Sequence, residues 1–255
     1  MVLRFNNKIM RLLQKIKTIL KPLITFQGQL DPSSAYNIWA TTYDEQINNP
    51  IVFLNKLMFQ ELLTDIKVEG KKVIDIGCGT GSLWEIIYTK KPKELIGYEI
   101  SIEMLKRLQE KYPLAKTYLA QDSKLKELQD ESYDLIISTL VIGYIKDLAM
   151  AFTEWNRVLK KDGEIIITDL HPDFLKKGAK RTFTSDTKVI NIKNYIHSEK
   201  HLKEITKKLG WIEIKLLEKS VDKTIRHFFE KNNSLRAYQE SINTPILSGY
   251  HFKKK

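Results

Sequence analysis

Three acidic residues recur at nearly equal intervals in the first half of the sequence: Asp75, Glu99 and Asp122, 24 and 23 residues apart. The first sits in the run Val73-Ile74-Asp75-Ile76-Gly77-Cys78-Gly79-Thr80-Gly81. Glycines at alternate positions let a backbone turn, and approach a ligand, where a Cβ would clash. An acid closing the second strand of such a unit can accept both hydroxyls of a ribose. An acid closing the third can accept the exocyclic amino group of a base. Each acid taken singly is equally well read as a helix cap. All three, in register with a glycine turn, point to an adenosine-containing ligand. No Lys follows the glycines, so this is not a phosphate-cradling loop. Ser82 stands where the dinucleotide fingerprint asks for Gly or Ala, a near miss that keeps a nicotinamide-dependent oxidoreductase as a rival.

Other side chains could serve a reaction beside that ligand. His171, in Asp169-Leu170-His171-Pro172-Asp173, titrates near neutrality and is the first candidate for a general base. The alternative is that it only shapes the loop before Pro172. Tyr144 is a second candidate, and Tyr195 and His197 are weaker ones for a substrate pocket.

These residues need elements to position them. Strands are expected at 73–76, 94–99, 117–120, 133–138, 164–169, 211–217 and 246–252. Helices are expected between them, including Ser82 onward, 103–112, 148–159 and 198–209. Pro50 breaks the chain before an apolar helical stripe at 51–66, and Lys161-Asp162-Gly163 turns into the fifth strand. Short apolar strands alternating with helices make βαβ units and a buried parallel sheet. Ligands of such sheets bind beyond the carboxyl ends of the strands, at the switch in strand order. The expected fold is therefore α/β, a doubly wound, seven-stranded, mostly parallel sheet. N-terminal helices precede it, and residues 174–197 form an insertion after the fifth strand. That insertion, with a weak hairpin pattern at 181–192, is a natural lid or substrate wall.

A chain of 255 residues, 42 % of them apolar and 10 % aromatic, suits one globular domain with additions. Its single cysteine, Cys78, rules out an intrachain disulfide framework and fits a reducing, cytoplasmic setting. The net charge of +11 comes mostly from Lys rather than the forked Arg that suits phosphate contacts. Residues 1–30 carry Arg4, Lys8, Arg11, Lys15, Lys17 and Lys21 and no acid, interleaved with an apolar stripe. Domain organisation is thus a basic amphipathic segment at 1–30 followed by a domain at 31–255. Two readings of residues 1–24 stand side by side: packing on the domain or a partner subunit, and peripheral contact with an anionic membrane.

With these residues in view, the chain resembles the class I S-adenosylmethionine-dependent methyltransferases. Val73 to Gly81, Glu99, Asp122 and Tyr133-Asp134-Leu135-Ile136-Ile137 carry the likeness. The segment Glu154 to Glu164 is similar to that family's helix and turn before the fifth strand, with Lys-Asp-Gly where Pro-Gly-Gly is usual. Tyr36-x-x-Trp39-Ala40-x-x-Tyr43-Asp44 resembles the small-molecule branch that includes quinone and biotin-precursor methyltransferases. The resemblance implies a Rossmann-like fold, S-adenosylmethionine as cofactor and a small-molecule acceptor, with a lipophilic acceptor suggested by the N-terminal stripe. It also implies roles. Gly77, Gly79 and Gly81 line the methionine portion, with Asp75 beneath them and Cys78 between. Glu99 takes the ribose, Ile100 packs the adenine, and Asp122 and Ser123 hold its edge. Ser101 and Met104 complete that side. Thr139 and Leu140 lie near the sulfonium, and Tyr36 and Tyr43 close over the cofactor. Core packing is the equal alternative for the two tyrosines.

Rivals within that resemblance are an RNA methyltransferase and a non-catalytic cofactor-binding protein. Ser138-Thr139-Leu140-Val141 lacks the Asn/Asp-Pro-Pro-aromatic run of base amino-group enzymes. The only Cys sits inside the glycine turn, which removes a pyrimidine C5 nucleophile. No specific nucleic-acid partner and no metal site is therefore expected.

Overall fold

The computed structural model describes residues 25–45, 49–185 and 188–255. The basic stripe of residues 1–24 lies outside them.

Seven strands make the main sheet: β2 (Lys72–Ile76), β3 (Glu94–Glu99), β4 (Lys116–Leu119), β5 (Tyr133–Thr139), β6 (Leu159–Leu170), β9 (Trp211–Ser220) and β10 (Pro245–Lys254). Their spatial order is β4-β3-β2-β5-β6-β10-β9, parallel throughout except that β10 runs antiparallel to both neighbours. The central strands are covered on both faces. Val73, Ile74, Ile136, Ile137 and Ile165 to Ile167 are all essentially inaccessible, which is why these runs read as unbroken apolar stretches. Strand order reverses between β2 and β5, so the switch point lies at the ends holding Gly77 and Thr139.

The helices follow the sequence pattern, with three corrections. The helix after the glycine turn, α3 (Trp84–Tyr88), begins two residues later than expected and has no side-chain cap. Turn bonds from Gly81 N to Cys78 O and from Trp84 N to Gly81 O occupy the intervening residues. Pro50 does not break structure but opens α2 (Pro50–Leu63) at its first turn, behind an Asn49 cap. Finally, the expected turn at 161–163 lies inside β6. The pairing with β5 jumps from Leu159 to Glu164, and Asp162 adopts a φ of 61°.

A second, three-stranded sheet lies beside the ligand edge. β7 (Thr182–Ser185) pairs antiparallel with β8 (Lys188–Ile192), as the alternation at 181–192 suggests. The third strand comes from far away in sequence: β1 (Thr25–Leu30) runs parallel to β8. Residues 25–30 therefore belong to this sheet rather than to a separate N-terminal segment. α1 (Pro32–Trp39), capped by Asp31, follows β1 and packs on the sheet, with Trp39 stacked on Phe183 at 4.6 Å between ring centres.

Candidate active site

Two adjoining cavities open at the switch point. The larger, about 440 Å³, is lined by Gly77, Gly79, Glu99, Ile100, Asp122, Ser123, Thr139 and Leu140, and by Tyr36, Tyr43 and Tyr144. The smaller, about 230 Å³, is lined by Asp75, Cys78, Asn55 and Lys56, and shares Tyr43, Gly77, Gly79, Thr139 and Leu140 with the first.

The glycines create the floor. Gly77 has a φ of +76°, and a Cβ there would lie 2.1 Å from Val141 Cγ2. Gly79, at φ +54°, faces open space, so its lack of a side chain widens the cavity. Glu99 closes β3 between them, only 6 % exposed. Its Oε2 accepts from Gly79 N at 3.0 Å, and its Oε1 accepts from Ile100 N and Ser101 N, each at 2.9 Å. Burial pushes this carboxyl up, while the three N–H groups pull it down. Asp75 is buried behind the turn, where Trp84 Nε1 donates to its Oδ2 at 2.8 Å. Burial raises its carboxyl to about 7. Asp122 lies exposed at the cavity mouth. The Lys124 N–H and the Lys126 ammonium hold it below the usual carboxylate range.

The N-terminal aromatic run reaches the same place through polar ties. Asp44 accepts from Thr80 Oγ1 of the glycine turn at 2.6 Å, which sets its neighbour Tyr43 over the turn. Asn37 Oδ1 accepts from Ser101 Oγ and Glu103 N, docking α1 on the start of α4 (Ile102–Lys111). Tyr36 Oη donates to Tyr144 Oη at 2.9 Å. Burial pushes the phenols of Tyr36, Tyr43 and Tyr144 upward, so at neutral pH they are hydrogen-bond donors rather than bases.

Not every expected residue is brought here. Ser101 caps α4, accepting from Met104 N, and faces Asn37. Met104 lies wholly in the core. Gly81 serves the turn, pressed against Leu108 and Tyr112. Cys78 lies at the edge of the smaller cavity and packs toward Gly97, and burial keeps its thiol protonated. His171 lines neither cavity. It caps α6 (Pro172–Lys176), with Nδ1 accepting from Asp173 N, and its Nε2 lies 3.2 Å from Glu218 Oε1. Tyr195 and His197 face a separate space of about 20 Å³, and His197 Nε2 bonds the Ile145 carbonyl.

Other lining residues escaped the sequence reading. Asp147, Met150, Ala151 and Trp155 present one face of α5 (Leu148–Val158) and its cap to the larger cavity. Their three- and four-residue spacing was the available signal. Arg181, at the start of the insertion's hairpin pattern, is a buried cation paired with Asp169.

The residues fit an adenosylmethionine: a fixed carboxylate for a ribose, a glycine floor, and a smaller cavity bearing both a carboxylate and an ammonium for an amino-acid end. Known proteins agree. Residues 74–167 match the methyltransferase domain family. A malonyl-[acyl-carrier protein] O-methyltransferase of Legionella pneumophila is 28 % identical over 120 residues, 46 % of this chain and 42 % of its relative. One from Methylovorus is 30 % identical over 138 residues, 51 % and 47 % of the two chains. The chain spans about half the length of the curated relatives it matches. Among solved structures, an S-adenosylmethionine-dependent methyltransferase from Mesorhizobium loti superposes with a TM-score of 0.62 at 16 % identity, covering 78 % of this chain and 98 % of that one. Geranyl diphosphate C-methyltransferase from Streptomyces coelicolor, complexed with S-adenosyl-L-homocysteine, superposes with a TM-score of 0.57 at 13 % identity, covering 77 % and 75 %. Residues 74–167 thus match a methyltransferase domain, and the chain shares the Rossmann-like fold of S-adenosylmethionine-dependent methyltransferases.

Proposed function

We propose that this chain transfers the methyl group of S-adenosylmethionine to a small acceptor. The observation that carries the reading is Glu99, its two carboxylate oxygens fixed by three backbone N–H groups on the floor of the larger cavity. When bound, the cofactor supplies a sulfonium methyl already activated for in-line transfer. What remains for the protein is alignment and exclusion of water. Gly77 and Gly79 allow close approach. Glu99 and Asp122 orient the nucleoside, and Asp75 and Lys56 suit the two charges of the amino-acid end. Tyr36, Tyr43 and Tyr144 wall the larger cavity, shielding the transfer from solvent.

A carboxylate oxygen is the acceptor this site suits best. The malonyl-[acyl-carrier protein] relatives methylate an oxygen by name, and a carboxylate arrives already ionised, with no proton to remove. That suits a cavity whose three phenols donate rather than abstract, with His171 outside it. Calorimetric titration of the chain with S-adenosylmethionine and with NADH tests the first step. Binding of NADH without S-adenosylmethionine would end this reading in favour of an oxidoreductase. Transfer of labelled methyl to a malonyl thioester, with base-labile product, tests the acceptor class.

A further inference from the structure

Arg181, in the insertion, sends a buried cation into the domain. Its backbone belongs to the three-stranded sheet, with its carbonyl accepting from Ile192 N at 2.9 Å beside the start of β7. Its side chain leaves the sheet and is 5 % exposed. One fork of the guanidinium, Nη2, pairs with Asp169 Oδ1 at the end of β6. The other, Nη1, donates to the Leu140 carbonyl at 3.4 Å. The guanidinium carbon sits 4.7 Å from the centre of the Tyr144 ring. Gly143 makes room for it, since a Cβ there would lie 2.5 Å from Nη2.

Each group that Arg181 touches is itself tied to the cavity. Leu140 lines both cavities and holds a φ of +60°, a strained backbone for a branched side chain that something must secure. Tyr144 bonds Tyr36 across the wall of the larger cavity. Asp169 accepts from Gly143 N at 2.6 Å, which fixes the 142–144 turn that bears Tyr144. A buried guanidinium cannot shift alone, because leaving either charge of the pair unpartnered is costly. Movement of the insertion sheet and movement of this wall are therefore one event.

We propose that Arg181 is a positioning residue that couples the β1-β8-β7 sheet to the wall of the cofactor cavity. It touches neither cavity itself and acts through Leu140 and Tyr144. The proposal rests on the cofactor reading above. A structural role alone would lower thermal stability in an Arg181 variant and leave ligand response intact. A positioning role makes the response of the sheet to ligand depend on the guanidinium.

The test uses S-adenosylhomocysteine as ligand on the full chain, with amide hydrogen exchange, calorimetry and thermal unfolding run side by side. In the unaltered chain, ligand slows exchange in residues 182–185 and 188–192. In Arg181→Met that slowing is lost and affinity falls roughly tenfold, equivalent to about 1.4 kcal/mol. Arg181→Lys keeps the charge but not the fork and lies between the two. Unchanged affinity together with unchanged slowing in Arg181→Met overturns the proposal. Where that variant does not fold, Arg181→Lys decides, and behaviour identical to the unaltered chain overturns it. An unaltered chain that binds no S-adenosylhomocysteine overturns the cofactor reading and this inference with it. Binding with no slowing in the sheet overturns the coupling alone.

Discussion

The backbone N–H of Gly79 donates to Oε2 of Glu99 across 3.0 Å, so the turn after β2 and the last residue of β3 form one unit. The other oxygen is held by Ile100 N and Ser101 N. Oε2, with a single donor on it, keeps lone-pair capacity toward the cavity while the two bonds to Oε1 fix the direction of the group.

Glu99→Ala removes both the carboxylate and the anchor of the turn. Hydrogen bonds to charged groups are worth about 1.5–3 kcal/mol each. S-adenosylmethionine affinity should fall by roughly ten- to a hundred-and-fiftyfold in calorimetry. Glu99→Gln should fall in between, because its NH₂ cannot accept from a backbone N–H. Unchanged affinity in both variants would remove Glu99 from ribose binding.

Asp75 gives the site a pH dependence whose sign can be worked out. Burial raises its folded carboxyl to about 7, while the indole N–H of Trp84 opposes the shift. Between the ordinary carboxylate value and about 7, the folded chain holds a proton that the unfolded chain has lost. Stability from this group is therefore full at low pH and is lost as pH rises through that window, by at most about 1.4 kcal/mol per pH unit. Asp75→Asn keeps an acceptor for Trp84 without the titration. Urea unfolding from pH 5 to 8 should show the variant gaining on the parent as pH rises. Parallel curves would place Asp75 in a less buried setting.

Glycine at 77 is demanded twice. Alanine there meets Val141 Cγ2 at 2.1 Å and must adopt a φ of +76°. The left-handed backbone alone costs roughly 1–2 kcal/mol for a residue with a Cβ. Gly77→Ala should lower the unfolding free energy by more than that and abolish cofactor binding. Adding Val141→Ala should relieve the clash but not the backbone cost, so recovery is partial. Full recovery would mean that only the contact mattered.

How much of this was legible follows from which forces are local. β2, β3, β5 and the core of β6 announce themselves because strands buried on both faces carry near-continuous apolar runs. The glycine turn and Glu99 were legible because a steric demand and a charge sit at fixed distances along one βαβ unit. Arg181 was not, because its partners Asp169, Leu140 and Tyr144 come from other elements. The pairing of β1 with β8 was hidden for the same reason, since some 160 residues separate the two strands. The resemblance places Ser101 and Met104 beside the ligand, yet the first is spent on capping α4 and the second on filling the core.

The basic stripe at residues 1–24 leads directly into β1, and β1 pairs with the insertion sheet beside the cavity. Among the described residues no helix is long and apolar enough to cross a membrane. We propose that residues 1–24 hold the chain on an anionic lipid surface. The full chain should co-sediment with vesicles containing phosphatidylserine, less so at high salt. A chain starting at residue 25 should stay in solution. Equal sedimentation of the two would exclude this role.

His171 is where the residue type and the fold give different answers. As the only His next to the end of β6, it looks suited to take a proton from an acceptor. In the fold its Nδ1 accepts from Asp173 N to begin α6, and its Nε2 meets the half-exposed Glu218. Both ring nitrogens are thus engaged, one by α6 and one by β9, and His171 lines neither cavity. His171→Ala should cost about 1 kcal/mol of stability, the usual loss for a helix cap, with little added from a contact with Glu218 that is open to solvent. S-adenosylmethionine affinity should not change, and methyl transfer to a carboxylate acceptor should proceed at the parental rate with the same pH profile. A profile that loses an inflection near neutrality in the variant would return His171 to the reaction and make the acceptor a group that must be deprotonated.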